Sequence, residues 1–241
     1  MFELLSAMPE DPILGLMAAY RKDPREQKID LGVGVYQNDR GQTPVMRAVQ
    51  KAEDRLIKQQ STKTYQGIAG DPEYNRQVLE LLLGGDHPTL ADGRAASIQT
   101  PGGSGALRIG AEVIRRANPD ARLWVGTPTW PNHIPLLGSS GFQIEQYPYY
   151  DHKNHCVDFE SMLGALQQVP QGDIVLLHGC CHNPTGSDLN RQQWQQVTEL
   201  AQQRGFIPFI DIAYQGLGDG LNEDAWGLRL MAAQLPELVI A

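Results

Sequence analysis

The sequence predicts an α/β protein: a mostly parallel sheet with helices on both faces. From Ala95 onward, short apolar runs alternate with longer amphipathic stretches, the signature of strand–helix–strand units. Runs such as "DIVLLHG" and "FIPFID" are apolar without alternation, as strands buried on both faces are. Gly- and Pro-rich turns separate the runs.

Each element has a local cause. Asp11-Pro12 opens a helix, "ILGLMAAYRKD", with Asp as its cap and Pro in the first turn, where the missing N–H costs nothing. "KIDLGVGVYQNDRGQTP" reads as an extended segment and a polar turn. "VMRAVQKAEDRLIKQQ" carries Val45, Val49, Ala52 and Leu56 on one helical face. Asp71-Pro72 repeats the helix start ahead of "EYNRQVLELLLGG". Then "AASIQT" reads as a strand, "ALRIGAEVIRRAN" a helix, "RLWVG" a strand and "WPNHIPLLGSSG" the start of a short helix. "FQIEQYPYY" is extended, "DFESMLGALQQV" helical, "DIVLLHG" a strand, "LNRQQWQQVTELAQQRG" a helix and "FIPFID" a strand. "LPELVIA" closes the chain as a further strand and points to an unfinished domain. A composition shift near Thr43–Arg47 divides residues 1–43, an N-terminal arm with part of a small domain, from residues 44–241, a large domain.

With 241 residues the chain can bury a sizeable core. Its net charge of -8, and Lys and Arg that are scattered rather than clustered, argue against nucleic acid or an anionic membrane as partner. Three cysteines fit a reducing compartment without a disulfide framework. The N-terminus lacks the basic and apolar regions of a secretory signal, and no apolar run approaches the ~20 residues of a membrane span. A cytoplasmic protein is expected.

In such sheets ligands bind beyond the carboxyl ends of the strands. After "SIQT", the turn "PGGSGALR" feeds a helix N-terminus. It offers N–H groups and a positive dipole end to a phosphate, or forms a tight turn without a ligand. It fails the dinucleotide pattern, because Arg108 stands where the third Gly belongs. It fails the triphosphate loop too, because Ala111-Glu112 replaces Lys-Ser/Thr. After "RLWVG" come Trp130, a core ring or a stacking surface, and His133. After "DIVLLHG" comes "CCHNPTG". On an extended chain His178, Cys180 and His182 share a face, but adjacent cysteines point apart and no second cluster completes a zinc site, so no metal is expected. Asn183 presents an amide at this strand end. After "FIPFI", Asp211 needs a cation or amide partner to be buried, and Tyr214 follows three residues on. Together the four loops suit a phosphorylated, planar, basic heterocycle; pyridoxal phosphate has those parts.

"DPILGL", "GVGVYQND", "TPGGSGALR", "TWPNH", "CCHNPTG" and "DIAYQG" resemble the class I aminotransferases of the aspartate and aromatic amino-acid subgroup, along the whole length of the chain. The resemblance implies a pyridoxal-phosphate enzyme that moves an amino group between an amino acid, aspartate or aromatic, and a 2-oxo acid. It also implies a homodimer with active sites at the subunit interface. Under it, Gly103 and Ser104 bind the phosphate of their own subunit and Tyr65 reaches that of the neighbouring subunit. Trp130 stacks on the ring, Asn183 and Tyr214 hydrogen-bond its phenolic oxygen, Asp211 holds the ring nitrogen and His133 supports Asp211. Gly34 lies near the substrate carboxylate, and Ile13 and Leu14 flank the substrate side chain. The catalytic set is Asp211, Tyr214 and Trp130, and the substrate set also includes Trp130 and Asn183.

The family's Schiff-base lysine follows a strand like "ELVIA", whereas this sequence stops at Ala241. Lys51, Lys58 and Lys63 lie in early helical or loop segments and do not replace it. Residues 1–241 alone are therefore expected not to catalyse efficient transamination, and rapid aspartate turnover by that chain would overturn the expectation. The competing readings are a β-lyase or decarboxylase on the same cofactor scaffold, and a non-catalytic nucleotide-binding module.

Overall fold

The computed structural model describes residues 12–29 and 34–241, with side chains from Gly15 onward. The chain forms two compact units, Met1–Thr64 and Tyr65–Ala241. The first holds α1 (Pro12–Lys22) and α2 (Arg47–Gln59). The cap predicted for α1, Asp11, lies outside the described residues. After α1 the Lys28 ammonium donates to the carbonyls of Tyr20 and Asp23 at 2.8 and 2.7 Å, which ties down the exit. The apolar stripe of α2 is present, but the helix buries none of its residues.

The second unit runs α3 (Pro72–Leu83), α4 (Pro88–Ala91), α5 (Gly102–Ala117), β1 (Leu123–Thr127), α6 (His133–Gly138) and β2 (Ile144–Pro148). Next come β3 (Tyr150–Asp151), β4 (Cys156–Val157), α7 (Phe159–Leu166), β5 (Ile174–His178), α8 (Arg191–Arg204), β6 (Ile207–Asp211), α9 (Trp226–Gln234) and β7 (Val239–Ile240). Local chemistry sets the helix starts. Asp71 caps α3 by accepting from the Glu73 and Tyr74 N–H groups, as its Asp-Pro motif predicts. Asn190 and Gln193 close a reciprocal capping box on α8.

Five strands form one all-parallel sheet in the order β2-β1-β5-β6-β7. Side chains alternate across it, so each strand feeds two cores. Leu123, Val125, Ile174, Leu176 and Phe209 pack with α5 and α6. Val175, Leu177 and Ile210 pack on the other face with α7, α8 and α9. The mostly parallel, doubly covered sheet is therefore as the sequence predicts. At the amino end of the strands the buried Asp173 carboxylate accepts from Arg122 Nε at 3.0 Å and Trp124 Nε1 at 2.9 Å, which ties β1 to β5 opposite the ligand side.

The sequence reading departs from the structure at "AASIQT". Residues 95–100 form no strand. Propensity makes the segment extended, but a strand also needs a ladder partner, and none flanks it among the described residues. The short helices α4 and α9 and the β3–β4 hairpin were not foreseen.

The α8–α9 contact is close. A Cβ on Gly227 would lie 2.3–2.7 Å from the Trp194 indole. Gly227→Ala therefore forces the ring or the helix to shift and is expected to cost about 1–3 kcal/mol in urea unfolding. An unchanged midpoint would contradict this packing.

Candidate active site

The carboxyl ends of β1, β5 and β6 and the N-terminus of α5 surround a pocket of about 230 Å³. Gly103, Ser104, Trp130, Asn183, Asp211 and Tyr214, all predicted site residues, line it. Leu107, His178, Cys180 and Ala213 complete the lining.

Parallel pairing creates this convergence. The register of β5 with β6 sets His178 beside Asp211. Beyond β1, the turn from Pro128 carries Thr129 and Trp130 and then delivers His133 as the first residue of α6. His133, fully buried, places Nε2 2.8 Å from Asp211 Oδ2. Among the described residues no other hydrogen bond reaches this carboxylate, so Oδ1 is left for a donor in the pocket. Thr129 Oγ1 bridges His133 Nδ1 at 2.8 Å and His178 Nε2 at 2.9 Å. Partner chemistry assigns the protons. His133 donates from Nε2 to the carboxylate, and the Thr129 hydroxyl links the two rings by donating to one of His133 Nδ1 and His178 Nε2 and accepting from the other.

Aromatic packing continues the chain. Trp130 meets His133 edge-on at 5.2 Å. His178 lies against His182 at 4.1 Å, and His182 stacks on Tyr149 at 4.1 Å and 11°. Burial, with the neighbouring His182 and His133, pushes His178 down to about 2. Burial pushes His182 down to about 4, with Asp188 partly opposing it. Both rings are therefore neutral at physiological pH.

On the opposite wall α5 begins at Gly102, and the pocket faces its first turn. A Cβ on Gly105 would lie 2.8 Å from Pro101 Cδ, so this turn closes only around glycine. First-turn N–H groups aimed into a pocket form an anion site.

Other predicted residues stand elsewhere. Tyr65 is fully exposed and does not line this pocket. Gly34 lies in the other unit, as do Ile13 and Leu14, whose side chains fall outside the described residues. The expectation that Cys180 and Cys181 point apart is wrong. Cys181 has φ 49°, which bends the chain and brings the two sulfurs and an Asp224 oxygen within 4.8 Å of one another. Sequence reasoning missed Thr129; its place between a strand end and His133 was the available signal.

The donor set meets the needs of a phosphorylated pyridine: an anion site, a flat indole, amide and phenol donors, and a carboxylate held from behind. A family model, "Aminotransferase class I and II", matches residues 26–241. The chain belongs to the class I and II aminotransferases. It is 48% identical over 239 residues to an aromatic-amino-acid aminotransferase of Pseudomonas aeruginosa, covering 99% of this chain and 60% of that one. It is 48% identical over 241 residues to an aspartate aminotransferase of Salmonella typhi, covering 100% of this chain and 61% of that one. Among solved structures, an aromatic-amino-acid aminotransferase from Burkholderia pseudomallei, covalently bound to pyridoxal phosphate, superposes with a TM-score of 0.96 at 45% identity. That match covers 100% of this chain and 60% of that one. The chain thus spans about three-fifths of the length of these aminotransferase relatives. Among the described residues no helix is long and apolar enough to cross a membrane.

Neutral His178 and His182 carry a pH consequence. The unfolded chain protonates each ring below the ordinary value of 6.5, whereas the folded chain does not. Stability from this source is intact above that value and is lost as pH falls. The share of His182 ends near 4 and that of His178 continues toward 2. Each ring contributes a slope approaching about 1.4 kcal/mol per pH unit within its window. Urea midpoints should fall steeply between about pH 6.5 and 4.5, and His182→Gln should remove roughly half of the slope. A flat profile would contradict the buried neutral rings.

Proposed function

We propose that the protein containing this chain is a pyridoxal-phosphate-dependent aminotransferase acting between an amino acid, aspartate or aromatic, and a 2-oxo acid such as 2-oxoglutarate. The observation that carries the reading is Asp211, fixed by His133 at 2.8 Å and facing Trp130, Asn183 and Tyr214 across one pocket. When bound, pyridoxal phosphate supplies an aldehyde that exchanges with amino groups and a cationic ring that accepts electrons when a proton leaves the adjacent carbon.

The chain's own residues supply the rest. Gly103 and Ser104, with the α5 dipole, receive the phosphate. Asp211 keeps a proton at the ring nitrogen by placing a negative charge beside it, and His133 orients that carboxylate. Asn183 and Tyr214 donate to the phenolic oxygen and stabilise its negative charge. Trp130 covers one ring face and excludes water from it. Gly34, Ile13 and Leu14 form part of the substrate side, and Tyr65, exposed on its own subunit, reaches the phosphate of the neighbouring one. None of the pocket-lining residues is a lysine, so no residue here is assigned the amine that holds the aldehyde. We further propose a cytoplasmic homodimer without nucleic-acid or membrane partners. Residues 1–43 serve as the arm with part of a small domain, and residues 44–241 serve as the cofactor-binding domain. No observation favours a β-lyase, a decarboxylase or a nucleotide-binding module.

Incubating the full-length protein and pyridoxal phosphate with aspartate or tyrosine plus 2-oxoglutarate should yield glutamate and the matching 2-oxo acid. Pyruvate from aspartate, or tight nucleotide binding without affinity for pyridoxal phosphate, would overturn the reading. Asp211→Ala should lower kcat/KM by about 10²-fold or more, because the charge opposite the ring is lost. His133→Ala should cost less, since it acts through Asp211.

A further inference from the structure

The turn after β5 holds a side-chain cluster that the proposed transamination does not use. Successive side chains of an extended strand point to opposite faces. Cys181 instead adopts φ 49°, and the Asp188 carboxylate captures both N–H groups at the bend, from Cys181 at 2.6 Å and His182 at 2.7 Å. The two thiols thereby converge, with an Asp224 oxygen, inside 4.8 Å. Asp224 is not a free third ligand. Its Oδ2 accepts from Gly216 and Gly218 at 2.7 and 3.0 Å, and its Oδ1 from Asp219 and Gly220 at 2.8 and 3.3 Å.

A hard cation finds too few oxygens here, and tetrahedral zinc lacks two ligands. What remains is a dithiol whose two members differ in access. Cys181 is half-buried, and Cys180 is buried but lines the pocket beside Asn183. Burial pushes both thiols up, so both keep their protons at neutral pH. A plain divalent ion would have to expel those protons unaided. An electrophile that carries them off as water would not.

We propose that Cys180 and Cys181 form a binding site for trivalent arsenicals, soft electrophiles with replaceable oxygen on the central atom. With an organoarsenic(III) oxide, Cys181 adds first, and Cys180 then displaces the remaining oxygen. Two S–H bonds break and two As–S bonds form. The arsenic oxygen leaves with both protons as one water, and arsenic stays trivalent, so no electrons are transferred. The raised thiols slow the first attack. The second is intramolecular, so the pair holds arsenic far more tightly than the lone, exposed Cys156. Ring closure also pins Cys180 in the pocket wall. Because Cys180 shares this pocket with Asn183 and Asp211, arsenical and pyridoxal phosphate change each other's affinity by one reciprocal factor. Only this coupling rests on the proposed cofactor; the dithiol site does not.

The test exposes the protein to phenylarsine oxide and follows intact mass. One adduct should survive gel filtration and 2-mercaptoethanol, and dimercaptopropanol should remove it. Cys180→Ser and Cys181→Ser should each weaken retention at least about tenfold, whereas Cys156→Ser keeps it. Peptide mapping of the unaltered protein should place arsenic across residues 180 and 181, which decides the matter even if a variant fails to fold. Absence of an adduct, equal retention in either serine variant, or arsenic mapped to Cys156 would overturn the site. Equal pyridoxal-phosphate affinity with and without the adduct would overturn the coupling.

Discussion

One hydrogen bond organises the pocket: His133 Nε2 to Asp211 Oδ2, between the first turn of α6 and the last residue of β6. A mostly buried carboxylate is costly unless a donor meets it. The imidazole meets it from the core side and leaves the pocket side for a cation. His133 is held in turn through Thr129, and Thr129 through His178. A change at any of these positions moves the carboxylate or leaves a buried polar atom unpaired, which costs about 1–3 kcal/mol.

The sheet makes this chain of contacts possible. Parallel pairing aligns the carboxyl ends of β1, β5 and β6, so three loops far apart in sequence share one rim. The helix that follows residues 95–100 points its N-terminus at the same rim. Negative and positive ends thus face each other across a small pocket, an arrangement suited to a ligand that is anionic at one end and cationic at the other.

The turn after β5 serves two ends at once. Its bend at Cys181, fixed by Asp188, sets Asn183 at the pocket and stacks His182 between His178 and Tyr149. The same bend draws two thiols together. A local backbone choice made for positioning therefore creates a second chemical feature beside the first.

Much of this was legible in the order of residues. Apolar runs without alternation announced strands buried on both faces, and Asp71 announced its own cap. The residues after each strand named the pocket, because a parallel sheet sends strand ends to one side whatever the loops contain. Other features were not legible. Residues 95–100 have strand propensity but no neighbour to bond, and pairing is a property of the assembled sheet. Thr129 gains its role only when His178, forty-nine positions away, arrives beside it. Cys180 and Cys181 converge because a carboxylate seven residues on captures the backbone, a contact that no alternation rule contains. Period and propensity set the elements and the rim where ligands bind. Which side chains touch there depends on register and on single backbone angles, which exist only once the chain has folded.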